Sequence, residues 1–490
     1  MTIENIETTQ IKPPKQESAV APNIKRGLLA YTIITALTFT FFVTNFRAGI
    51  SIPIFVIIQF FILYVTMPKK KPLLMFVPIF ILALNAFISA NTMWRVPNFI
   101  VAVVLFGVMI LWYTNQLVLN RTLTGFVFKT LSVLTTPFKS FEMPFIWCLE
   151  GRKENLPIIK RVAIAIAITI PCLIFLLIML SSADAVFSHF VSEFIWMGLI
   201  HFNMGVFVRL LVGFAVAIFL FGLVHYALNP NAEKIDATEI PQKTGDLLIL
   251  NILFVSIMVI YTVFVAIQFR YLFARPDYLP FGLNFVTYAR RGFFELMFLS
   301  SVNIGFILLS VWLSKGQQVK NAVKLTKFLC LYLCGVTSVL LVSSFYRMWL
   351  YGADDGLTRM RFLVFGFLIF KSFGIIATFI YITKPRFNII AVYCVIALVY
   401  YLFLNIVPMD AIVARSQIDR YFNTGRGGIA YVMTLSPDAA PQIARLRESD
   451  AVNTRVATRD YFRQNFSYPG WQQAGWRRWN LSVSRFNRLG

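Results

Sequence analysis

Eleven runs of about twenty mostly apolar residues divide this chain, at 27–46, 50–67, 73–90, 98–119, 161–181, 203–228, 246–269, 292–313, 325–346, 362–382 and 387–407. Each is close to the length a helix needs to cross the roughly 30 Å hydrocarbon core of a bilayer. In lipid the backbone must satisfy its own hydrogen bonds, and for such a run the α-helix is the way to do so. The expected fold is therefore all-α, a polytopic transmembrane bundle of about eleven spans with a small C-terminal helical extramembrane domain. Composition agrees, since 58% of the 490 residues are hydrophobic and only 14% are charged. Soluble domains hold about 25% charged residues.

The gaps between runs set the organisation. Phe46-Arg47-Ala48-Gly49 and Pro68-Lys69-Lys70-Lys71-Pro72 are short enough to force helical hairpins. Residues 1–24 are polar and read as a disordered cytoplasmic tail. Residues 25–119 form a four-span unit, and 161–407 form a seven-span core. Between them, 120–160 mixes Phe, Leu and Trp with Lys and Arg, as an interfacial amphipathic segment does. Residues 408–490 form the extracytoplasmic helical domain. Four of the five cysteines lie inside apolar runs, so no disulfide framework is expected. Cys330 and Cys334 stand one helical turn apart and read as packing residues.

Lysine gives the orientation. With the N-terminus inside and the spans alternating, 17 of the 18 lysines fall on the inner side and none on the outer. Loops retained in the cytosol are rich in Lys and Arg, so this split predicts topology. Most of the formal charge of +23 lies in such short loops. That accounts for it without nucleic acid, and no nucleic-acid-binding motif is present. The segment 408–490 carries 12 Arg and no Lys, and the scheme places it outside.

Three groups of charge resist the apolar pattern. In Tyr288-Ala-Arg290-Arg291-Gly-Phe-Phe-Glu295, a helix starting near 287 would put Arg291 and Glu295 on one face. The arginines suit an anionic group through forked donors; the same residues would also clamp a helix end. Arg347-Met-Trp-Leu-Tyr-Gly-Ala-Asp354-Asp355-Gly356-Leu-Thr358-Arg359 places two carboxylates among arginines in an outer loop. An ion-pair network and an acid–base pair are both readable there. Gly356 permits a tight turn, and Thr358 is placed to cap the following helix. Lys371 falls in the middle of a span, where a charge costs a few kcal/mol and marks either a functional site or a pair within the bundle. Glu295 is one candidate counter-charge. Asp184, His189, Glu193 and His201 match no metal-binding spacing, and there is no phosphate loop, metalloprotease helix or nucleophile elbow. No metal or cofactor is expected.

In the tail, Ser436-Pro437-Asp438 has the form of a helix start: cap, first-turn proline and an acid for the dipole. Asp410–Phe422 and Thr454–Phe466 read as amphipathic helices. Trp476-Arg477-Arg478-Trp479-Asn480 suits a membrane interface or a partner surface.

The segments TYARRGFFEL (287–296), YGADDGLTRMR (351–361), PMDAIVARSQIDRY (408–421), YVMTLSPDAAPQI (431–443) and WRRWN (476–480) resemble a family of bacterial polytopic membrane proteins, domain of unknown function 4173. The likeness runs from about Asp184 to the C-terminus. This chain departs from it where Ala353-Asp354-Asp355 is inserted before Gly356. The resemblance implies a multi-pass protein of the bacterial cytoplasmic (inner) membrane and no particular reaction. The leading expectation is a non-enzymatic protein with membrane lipids around it, which binds or moves an anionic solute or lipid headgroup. An envelope assembly or sensing component, holding a protein partner through 408–490, is the second. A membrane enzyme acting on a lipid-linked substrate through Asp354 or Glu295 is the third.

Overall fold

Apolar residues surround most of the helices on every side, and a computed structural model shows how they are used. Large side chains such as Leu248, Ile260 and Phe298 stand outward, while Asn98, Thr337 and Ser344 are turned in. A bundle surrounded by lipid loses nothing by exposing leucine, and it holds its helices together partly through interior polar contacts. The structure describes residues 22–43, 49–117, 123–148, 204–229, 247–272, 293–314, 319–384, 387–466 and 475–489, with isolated positions at 169, 180, 184 and 187. Among the described residues the regular elements are helices, with no strand.

The first group comprises α1 (Pro22–Phe42), α2 (Ser51–Thr66), α3 (Phe76–Ile88), α4 (Arg95–Tyr113), α5 (Leu123–Thr135), α6 (Met143–Cys148) and α7 (Met204–Leu228). The second comprises α8 (Leu247–Leu272), α9 (Phe293–Ser314), α10 (Lys320–Asp355), α11 (Arg359–Thr383) and α12 (Ile389–Ile406). Eight helices are long and apolar enough to cross a membrane: α3 and α4, each with the short turn before it, and α7 through α12. Of the eleven expected spans, the run at 161–181 lies outside the described residues except for the isolated positions 169 and 180. The run at 50–67 folds as α2, whose 16 residues make it a shorter apolar helix. The run at 27–46 folds as α1, which is diluted by Lys25, Arg26 and four threonines and is not among the eight.

Two apolar cores lie within the bundle. One joins α1–α7 around Tyr31, Leu63, Met109 and Phe221, and α12 adds Leu398 and Tyr401 to its edge. The other joins α8–α11 around Phe254, Ile307, Leu333 and Leu340. Cys330 and Cys334 are buried in the second core as free thiols. Helix α12 packs on both α11 and α3, and so bridges the two.

The helix ends sort into two faces. On one, Lys69 Nζ donates to the Tyr113 carbonyl at 2.9 Å, Gln116 to the Tyr226 hydroxyl at 3.0 Å, and Lys25 lies 5.7 Å over the Trp147 ring. The opposite face carries the C-terminal unit: α13 (Met409–Thr424), α14 (Ile429–Val432), α15 (Ala440–Ile443), α16 (Val452–Phe466) and α17 (Leu481–Leu489). The backbone segments that meet this unit, near 49–50, 86–91 and 356–359, are the ones the lysine pattern assigns to a single side.

The C-terminal unit is apolar inside, with Val413, Ile418, Ile443, Leu446 and Phe486 fully or nearly buried. Leu357, Phe362 and Leu363 from the start of α11 pack into the same core, so the unit grows out of the bundle and shares its interior. Gly425, at φ 69°, ends α13 in the left-handed conformation that glycine adopts without strain. Gly49 meets the unit at closest approach: a Cβ there would run into the backbone of Arg478 and Trp479.

Candidate functional site

The most concentrated polar chemistry on the C-terminal face is the joint beneath that unit. Helix α11 begins at a turn whose Gly356 has φ 73°, and the Thr358 hydroxyl accepts from Arg361 N, capping the helix as its sequence suggested. This fixes Arg359 at the first position. Its Nε donates to Asp410 Oδ1 and its Nη2 to Asp410 Oδ2, both at 2.6 Å. Asp410 sits in the first turn of α13 and is 1% exposed. Its Oδ2 also accepts from Ser436 N at 3.1 Å and from Asn91 Nδ2 at 3.4 Å. A forked guanidinium with further donors satisfies the oxygens of a buried carboxylate.

Asp438 makes the companion contact. It accepts from Ser89 Oγ at 2.5 Å and from Ala90 N at 2.7 Å, which ties the tail to the end of α3. The helix start expected at Ser436-Pro437-Asp438 is a short 3-10 turn over Pro437–Ala439. Ser436 makes no side-chain capping bond there, and Asp438 turns to a distant loop. Tyr461 donates to the Leu435 and Ser436 carbonyls, and burial pushes its hydroxyl above the usual phenol range. Gln417, 2% exposed, donates to the Leu357 carbonyl at 2.8 Å and accepts from Gly428 N at 3.1 Å.

Directly beneath, three asparagines carry the joint into the bundle. Asn98 on α4 donates to Asn405 Oδ1 on α12 at 2.7 Å and accepts from Tyr401 at 2.7 Å. Asn85 on α3 donates to the Asn405 carbonyl at 2.8 Å.

With two guanidinium bonds and two further donors on its oxygens, Asp410 is committed to holding the fold together. A substrate or a proton would have to break that set. The chemistry open to a partner lies on the surface of the C-terminal unit. Ten of its twelve arginines are exposed, against three exposed acids, Glu448, Asp450 and Asp460. Arg455, Arg459 and Arg463 are all exposed and recur every fourth residue of α16. Like charges at that spacing share a helix face and oppose folding.

Among the sequence-based candidates, Tyr288, Arg290 and Arg291 lie outside the described residues, as do the side chains of Asp354 and Asp355 at the end of α10. Glu295 stands exposed in the first turn of α9. Arg347 is buried on α10, and Arg359 belongs to the joint. Lys371 is 4% exposed on α11, and its Nζ donates to the Met297 carbonyl at 2.5 Å, Ser300 Oγ at 2.6 Å and Ser301 Oγ at 2.7 Å. These acceptors are neutral and belong to the helix that carries Glu295. Ser89, Asn91 and the three asparagines carry no site signal in sequence, and Asp438 reads there only as a helix-start acid. An acid immediately past the last span is the one available signal for Asp410. The four-residue spacing of the α16 arginines is legible in the sequence itself.

A family model described as Domain of unknown function (DUF4153) matches residues 76–446. No curated protein and no solved structure matches the chain significantly. The match and the eight apolar helices agree on an integral membrane protein of an uncharacterised family. The matching family is DUF4153; membership of domain of unknown function 4173 is not shown.

Proposed function

The chain belongs to the DUF4153 family, and we propose that it is a non-enzymatic membrane protein whose C-terminal unit binds an anionic partner on its arginine-rich face. The observation that carries this reading is the exposed row Arg455, Arg459 and Arg463 on α16. Three like charges on one face cost folding energy, and an anion bridging them returns it. Arginine in place of lysine suits phosphate or carboxylate through its planar fork.

In this reading the arginine face lies on the far side of the bacterial cytoplasmic membrane from the lysine face, with the N-terminus in the cytosol and about eleven spans in all. The gathering of Lys25, Lys69 and Lys70 at the end opposite the C-terminal unit supports that sidedness. The test is fluorescence anisotropy of labelled polyphosphate with the full chain in lipid nanodiscs. Binding should weaken with salt, and Arg459→Glu with Arg463→Glu should abolish it. Equal binding by the variant rejects the reading.

A second reading, favoured by the neutral acceptors around Lys371, is passage of a small anion along α9 and α11. An unneutralised charge inside a span commonly marks an ion path. Chloride efflux from liposomes containing the chain should then stop with Lys371→Met. Efflux unchanged by that substitution rejects it.

A further inference from the structure

The corner formed by Trp476–Asn480 holds a second surface, and it stands apart from the α16 arginines and from the reading built on them. Its backbone is fastened to the start of α2, and its Asn480 side chain to the end of α3. Gly49 N donates to the Arg477 carbonyl at 3.3 Å and Ile50 N to the Trp479 carbonyl at 3.0 Å. Asn480 Nδ2 reaches the Ala86 and Ser89 carbonyls at 3.0 and 2.8 Å, and Asn480 Oδ1 caps α17 by accepting from Val483 N. The side chains of Trp476, Arg477 and Trp479 are left outside. Trp476 packs edge-on to Phe42 at the end of α1, and Trp479 tilts against Phe87 near the end of α3. Both indoles remain about half exposed, at 58% and 48%.

Between them, the Arg477 guanidinium lies 4.5 Å over the exposed ring of Phe41, and its Nη1 donates to the Phe41 carbonyl at 3.0 Å. That one bond leaves most of its donors open, and no carboxylate among the described residues pairs with it. The corner therefore sets two amphipathic rings and a cation at the level where α1 and α3 end. A bilayer changes there from acyl chain to headgroup, and tryptophan concentrates at that depth.

We infer that this corner is a binding site for the phosphate of an anionic phospholipid, with Arg477 on the headgroup and Trp476, Trp479 and Phe41 against the upper acyl chain. Charge complementarity selects an anionic lipid over a zwitterionic one. One arginine near an anionic headgroup contributes about 1 kcal/mol, a preference of about fivefold.

The experiment uses the full chain in detergent, titrated with phosphatidylglycerol or phosphatidylcholine carrying brominated acyl chains. The readout is quenching of the tryptophan emission that disappears in the Trp476→Phe, Trp479→Phe double variant. Phosphatidylglycerol should reach half-quenching at about one-fifth the concentration of phosphatidylcholine. Arg477→Gln should bring the two lipids together while quenching persists, and Arg477→Lys should keep part of the preference. The Arg477 side chain lies outside the backbone bonds that hold the corner, so retained quenching by phosphatidylcholine reports an intact site. Should Arg477→Gln fail to fold, loss of the preference in 0.5 M salt and its partial retention in Arg477→Lys decide the matter. Equal quenching by both lipids, a preference that survives Arg477→Gln, or inorganic phosphate competing as well as the lipid each overturns the assignment.

Discussion

The fold treats Arg359 and Lys371, both on helix α11, in opposite ways. Arg359, at its first position, is matched by a carboxylate through a forked pair of bonds. Lys371, near its middle, is held by one carbonyl and two hydroxyls. The first arrangement cancels charge; the second solvates it. A cancelled pair has little left to offer a ligand and much to lose when one partner goes, because the other is then stranded. A solvated charge has oxygens that can turn elsewhere. The hydroxyls of Ser300 and Ser301 already bond the Met297 carbonyl as well. The difference separates residues that weld the C-terminal unit in place from one whose charge is held by neutral oxygens.

The sharpest way to break this contrast is Asp410→Asn. It strands a partly buried guanidinium and should lower stability by about 3 kcal/mol, freeing the C-terminal unit to protease while the spans stay inserted. Adding Arg359→Gln should recover part of the loss. If the double variant is less stable than the single one, the pair is not what the geometry says.

Next in size is Asn98→Ala, which removes the link between α4, α12 and Tyr401. Interior hydrogen bonds in membrane bundles are worth about 0.6 kcal/mol on average, and loss of Asn98, which bonds Asn405, Tyr401 and the Leu82 carbonyl, should cost about 1–2 kcal/mol in denaturant unfolding. Lys371→Met should change unfolding by less than about 1 kcal/mol, since an apolar chain replaces a charge that was costly to bury. A loss as large as that of Asp410→Asn would erase the distinction between the two cations. Smallest is Arg415→Gln. It removes a 3.6 Å contact to Asp419 between exposed side chains and should move the melting midpoint by less than about 0.5 kcal/mol equivalent.

Sequence carried the bundle because bilayer thickness sets helix length, and length can be counted. It carried less at α1 and α2, where threonine and a short run blur that measure. The turn at Gly356 and the Thr358 cap were legible because both act within four residues. The joint was not. Arg359 meets Asp410 across 51 positions and Asp438 meets Ser89 across 349, and no local period connects such residues. Asp438 shows the limit well. Its position favours a helix dipole, yet two donors from another chain segment are worth more to a carboxylate than a partial charge. Arg455, Arg459 and Arg463 needed only the four-residue spacing of a helix, but their exposure follows from which side of α16 the core takes.

The absence of lysine from residues 408–490 gives the molecule two chemically distinct ends. An amine-reactive label that cannot cross a bilayer has no lysine to modify on the C-terminal unit, while a guanidine-directed dicarbonyl finds ten exposed side chains there. Intact cells treated with each reagent in turn would therefore disclose which end faces the medium, with no fusion and no introduced cysteine.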